Sequence, residues 1–238
     1  MAKVTEFDYT SAQQSSDPEV RQDFLNAVDL EDAREFVKKV RYIIPPKKVK
    51  KPDEPESDWI YREIMSLGAS MTCEPDSFHF LLSKGIFVPR SRKSFMNIYP
   101  HAFLMDYSSF LSGVIYHEGQ HARQNFRKWG HTFINNNRIL RNKKNKQKIK
   151  YFKLIHEIPA CANQIAKCVY RGISESYAES ISEYIQRALA ELTCLKNSFP
   201  KPRNPVKDLQ EILCDSEGDD FIREMLGNQN RLRGELLI

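Results

Sequence analysis

No stretch of this 238-residue sequence approaches the ~18 consecutive apolar residues that mark a membrane-spanning helix. The first residues, Met-Ala-Lys-Val-Thr-Glu-Phe-Asp, lack the apolar segment of a secretory signal. A cytoplasmic location is expected, with signal-independent export as the other route. Cysteine is sparse: Cys73, Cys161, Cys168, Cys194 and Cys214 make an odd number with no Cys-x-x-Cys pair. That excludes a disulfide framework and a cysteine-built structural zinc site, and it fits reduced thiols. Acidic charge is only slightly outweighed, leaving a net charge of +5, too modest to indicate nucleic acid by itself. There is no internal repeat. What remains is an ordinary globular composition, 41% hydrophobic and 28% charged, long enough for one substantial core.

The informative stretch is Ser112-Gly-Val-Ile-Tyr-His117-Glu118-Gly-Gln-His121-Ala-Arg-Gln. On a helix, positions i and i+4 stack on one face, so His117 and His121 can offer imidazole nitrogens to one ion. Glu118 lies one step round, placed to take a proton from water held by that ion. Such a spelling arises by chance in roughly one chain in a hundred of this length, so its setting matters. Leu111, Ile115, Ala122, Phe126 and Trp129 form an apolar stripe at helical spacing, giving the helix a core-facing side. A carboxylate and two imidazoles beside such a stripe are costly unless a cation satisfies them.

The remaining chain reads as follows. Residues 1–16 are polar and are expected to be a flexible arm. Asp17-Pro18 starts a helix carrying Val20, Phe24, Val28, Phe36, Val37 and Val40 to about Tyr42, with a break near Asp29 as the alternative. Residues 44–56, rich in Lys and Pro, read as an exposed loop or linker. Short helices are expected from Ser57 to Gly68 and from Asp76 to Gly85. Strands are expected at Ile86–Val88 and, interrupted by Pro100, between Phe95 and Asp106. Helices follow at 108–128, from Tyr151 to Gly172, from Ser176 to about Lys196, and as short pieces at 208–214 and 219–226. The fold expected is α+β and predominantly helical, with a small antiparallel sheet packed beside the His-Glu-x-x-His helix. Residues 17–198 form the main domain and 199–238 a C-terminal helical extension.

A catalytic zinc takes three protein ligands and leaves a place for water. The metzincin spacing is absent, because Gln124 and Arg127 stand where its Gly and third His would fall. Tyr151-Phe-Lys-Leu-Ile-His156-Glu157-Ile-Pro-Ala160 supplies another candidate. Here the chain resembles the gluzincin branch of the zincin metallopeptidases, in which a downstream helix contributes a Glu in a Glu-x-x-Ala or Glu-x-x-Asp setting. The resemblance covers two short motifs within residues 94–170. It implies a zincin-like fold, one Zn2+ per chain held by His117, His121 and Glu157, Glu118 as general base, and a peptide or protein substrate. His156, His131, Glu175 and Glu179 are rival third ligands. Pro159 either begins the second helix or kinks it. Cys161, one turn on, is a soft ligand or a small buried group. Tyr116, Tyr177 and His131 are candidates for polarising a substrate carbonyl.

Two other functions stay open. One is a zinc-site protein whose catalysis has been lost or redirected. The other is a nucleic-acid-associated or acidic-partner protein using the basic loop at 138–150, where Arg138, Arg141, Lys143, Lys144, Lys146, Lys148 and Lys150 cluster without an acidic residue. No nucleic-acid fold motif accompanies that loop.

Overall fold

The computed structural model describes residues 4–44, 69–72, 94–124, 146–171, 175–213 and 216–235. The helices expected at 57–68 and 76–85, the strand at 86–88, the residues 125–145 and His131 lie outside them. The chain is predominantly helical α+β, and among the described residues no helix is long and apolar enough to cross a membrane. Contacts divide it into two compact units, Met1–Val88 with Arg92–Ala122, and Pro89–Ser91 with Arg123–Ile238.

The first unit opens with α1 (Glu6–Gln14), where an arm was expected. Thr5 and Asp8 form a reciprocal capping box, and Tyr9 and Ala12 are buried. The Tyr9 hydroxyl donates to the carbonyl of Met105 at 2.8 Å, which ties the helix down. Helix α2 (Pro18–Ala27) begins as expected, with Asp17 accepting from the Glu19 amide. It stops at Ala27. A 3-10 turn (Glu31–Ala33) follows, and then β1 (Val37–Tyr42) in place of the expected helical continuation.

The reason is a bulge. Between Val37 and Lys39 the register shifts, so two residues of β1 oppose one residue of the neighbouring strand. Val37 and Val40, three apart, are thereby both buried, and the spacing imitates a helical face. Strands β2 (Ala69–Thr72) and β3 (Ser94–Ile98) complete a mixed sheet of order β1-β3-β2. β1 runs parallel to β3 and β2 antiparallel to it, which corrects the expected all-antiparallel sheet. β3 is central, with Met96 and Ile98 fully buried, and Asn97 accepts from Nε and a terminal nitrogen of Arg41 at 3.0 and 2.7 Å. Pro100 ends the strand and opens a 3-10 turn (Pro100–Leu104). Phe103 from that turn packs with Tyr9, Phe24, Tyr42 and Phe110. Phe110 lies in the first turn of helix α3 (107–124), whose Asp106 cap accepts from the Ser109 amide at 2.8 Å.

The second unit is built on α4 (Lys146–Arg171), which packs against α5 (Glu175–Leu195) and α7 (Glu217–Glu235), with the short α6 (Pro205–Ile212) alongside. Its core joins Tyr151, Leu154, Ile155, Ile158 and Ala162 of α4 to Ile185 and Leu192 of α5, Leu209 of α6 and Ile222 of α7. Residues after 199 thus share this core. Lys146 to Lys150, expected in the basic loop, form the first turns of α4. Lys150 pairs with Glu191, and the Lys148 ammonium lies 5.8 Å from the centre of the Phe199 ring. Gly218 permits close approach of α7 to α4, because a Cβ there would lie 2.2 Å from the Asn163 nitrogen.

Candidate metal centre

Helix α3 is not uniformly α. Leu111–Tyr116 is wound as a π-helix, and the His117 amide donates to the Ser112 carbonyl five residues back. A π turn holds an extra residue, so side chains after it are rotated relative to those before it. Leu111, Val114 and Ile115 are buried ahead of the break. Beyond it His117, Glu118 and His121 are half-buried, while Gly119, Gln120, Ala122, Arg123 and Gln124 are buried. Gly119 has a packing role: a Cβ there would lie 2.8 Å from that of Ala33. The turn it meets is strained, with Glu31 at φ 46°, an uncommon left-handed conformation for a residue with a side chain. The Tyr116 hydroxyl donates to the Glu31 carboxylate at 3.2 Å.

The imidazoles of His117 and His121 stand edge to face, with ring centres 4.9 Å apart. One ligand atom each from His117, His121 and Glu157 lies within 4.8 Å of the other two, and all three side chains are half-buried. Among the described residues no other group of His, Cys, Asp and Glu closes up in this way. A tetrahedral zinc with bonds of about 2.0–2.1 Å needs its ligand atoms about 3.3 Å apart. The three atoms must therefore draw together by at most about 1.5 Å, within reach of small side-chain rotations. Two imidazole nitrogens and a carboxylate oxygen are a donor set that zinc accepts. The residues fit the ion.

The rival ligands are placed elsewhere. Nδ1 of His156 lies 3.3 Å from Oε1 of Gln124, and His156 is outside the cluster. Glu179 does not join it, and the side chain of Glu175, like His131, lies outside the described residues. Pro159 sits inside α4, not at its start. Cys161, on the same face as Glu157, is buried, as is the neighbouring Gln164, whose amide donates to the Tyr177 hydroxyl at 2.7 Å. Of the expected carbonyl-polarising groups, Tyr116 is engaged by Glu31 and Tyr177 by Gln164.

Two residues at this centre were not singled out by the sequence. Tyr184 of α5 has its hydroxyl pKa pushed up to about 12 by burial, and further by the nearby Glu157, Cys161 and Glu191. Its signal was helical spacing, seven residues after Tyr177. Gln124 closes on His156, and no local pattern announces it.

No protein-family model, curated protein or solved structure shows significant similarity to this chain.

Proposed function

We propose that the chain is a zinc-dependent metallopeptidase of gluzincin type. One observation carries the reading: two imidazoles four residues apart and a carboxylate from a separate helix place their ligand atoms within 4.8 Å of one another. A helix bearing His-Glu-x-x-His supplies the first two donors, and Glu157 the third. When bound, the metal would supply Lewis acidity towards a substrate carbonyl and lower the pKa of water in its open position.

The protein's own groups do the rest. Glu118, half-buried next to His117, accepts a proton from the attacking water and returns it to the departing amine.

The deciding experiment is metal analysis of protein purified without added zinc, alongside His117→Ala and Glu118→Gln. The expected result is one zinc per wild-type chain, loss of zinc in His117→Ala, and retained zinc in Glu118→Gln. Hydrolysis of an unfolded protein substrate should fall by about 10²–10⁴-fold in Glu118→Gln. Zinc content unaffected by His117→Ala, or full activity without Glu118, would remove the proposal.

A further inference from the structure

We infer that Gln124 is a positioning residue that sets the spacing of the zinc ligands by clasping His156; this rests on the metal reading above. Gln124 is fully buried at the end of α3, three residues past His121, so positions 117, 121 and 124 follow one helical face. Both ends of its amide reach His156. Nε2 donates to the His156 carbonyl at 3.0 Å, and Oε1 lies 3.3 Å from His156 Nδ1. The second contact is a hydrogen bond when the imidazole carries its proton on Nδ1.

The carbonyl comes from a disturbed turn of helix. Pro159 has no N–H to give, and its ring crowds the carbonyl of Ile155, four residues earlier. Pro159 thus takes the usual intrahelical donor from the Ile155 carbonyl, one residue before His156. Gln124 reaches that turn, and the next residue is Glu157. The clasp thus fixes the residue beside the third ligand against the end of the helix that carries the first two. Partners of this kind, one step behind the ligands, typically hold a 10–100-fold share of metal affinity.

The test is competition for Zn2+ against a chromogenic chelator, using the full chain. Gln124→Met keeps the length and removes both hydrogen bonds, and Gln124→Glu keeps the acceptor facing Nδ1 while losing the donor. Expected is a 10–100-fold loss of zinc affinity in Gln124→Met, with helicity by circular dichroism unchanged, and an intermediate loss in Gln124→Glu. Binding within twofold of wild type by a folded Gln124→Met overturns the inference. If Gln124→Met does not fold, wild-type affinity in Gln124→Glu overturns it equally. His117→Ala in the same assay separates the two layers. Zinc binding that is indifferent to His117 removes the metal reading and the clasp with it. His117-dependent binding that is indifferent to Gln124 removes the clasp alone.

Discussion

Gly218→Ala should destabilise the second unit far more than one methyl group suggests. The added Cβ would meet the Asn163 nitrogen at 2.2 Å, its Cα at 2.3 Å and its Cβ at 2.7 Å. Two of these are backbone atoms of α4 and cannot rotate away. Ordinary contact begins near 3.4 Å, so α7 must retreat by about 1 Å. Overpacking of this kind costs about 1–3 kcal/mol. The retreat also opens gaps beside Ile222 and Leu226, which are 0% and 2% exposed, and a gap of 0.5–1 Å forfeits about a quarter to a half of each dispersion contact. A total of about 3–4 kcal/mol follows, or roughly 10 °C in Tm. Gly227, on the same helix, is the control. Nothing lies within 4 Å of a Cβ there, so Gly227→Ala should stabilise by about 0.5–1 kcal/mol through helix propensity alone. Thermal and urea unfolding of both variants would read the difference. A Gly218→Ala protein as stable as wild type, or two variants shifting in the same direction, would refute the close approach of α7 to α4.

Two further outcomes follow from the supports of the site. Asp106→Ala should cost about 1 kcal/mol at pH 7, because it removes the cap of α3. The Asp106 carboxyl is held below its usual range by hydrogen bonds from the Ser109 side chain and backbone, so its contribution is present above the unfolded value of ~3.9 and lost as pH falls through the lower folded value. Urea titrations of wild type and variant should therefore converge in strong acid. Gly119→Ala should perturb the turn at Ala33, and Ala33→Gly should partly restore it; a double-mutant cycle without coupling would contradict the contact.

The longest amphipathic helices were legible in the sequence, because their apolar faces repeat over many turns and one unit's core is built from them. The first 44 residues misled in two places for local reasons. Residues 1–16 lack an apolar stripe, yet Thr5 and Asp8 supply a capping box and a single buried Tyr9 anchors the helix through Met105. In β1, a bulge turned the strand alternation of two into a spacing of three, and Val37 with Val40 then read as helix. The parallel pairing of β1 with β3 could not be foreseen once β1 had been read as helix. Pro100 gave the opposite lesson, since a residue that cannot donate to a ladder marked the end of β3 where the pattern alone left the strand running on.

The candidate site divides the same way. His117, Glu118 and His121 are visible because one helical turn fixes their relation, whatever the rest of the chain does. Glu157 was visible only through family resemblance, and its arrival beside the histidines depends on how the intervening chain returns. Gln124 and Pro159 show why that return is hard to read. Separately, each looks like a fault: a buried amide four groups rich in hydrogen-bonding demand, and a proline in a helix interior. The Gln124 amide donates to the His156 carbonyl, three residues before the proline, and the imidazole of His156 faces the amide oxygen. A sequence pattern records each residue's own preference. It does not record which distant residue a buried amide will meet. Contacts between buried polar groups far apart in sequence are therefore where residues that set ligand spacing are to be sought.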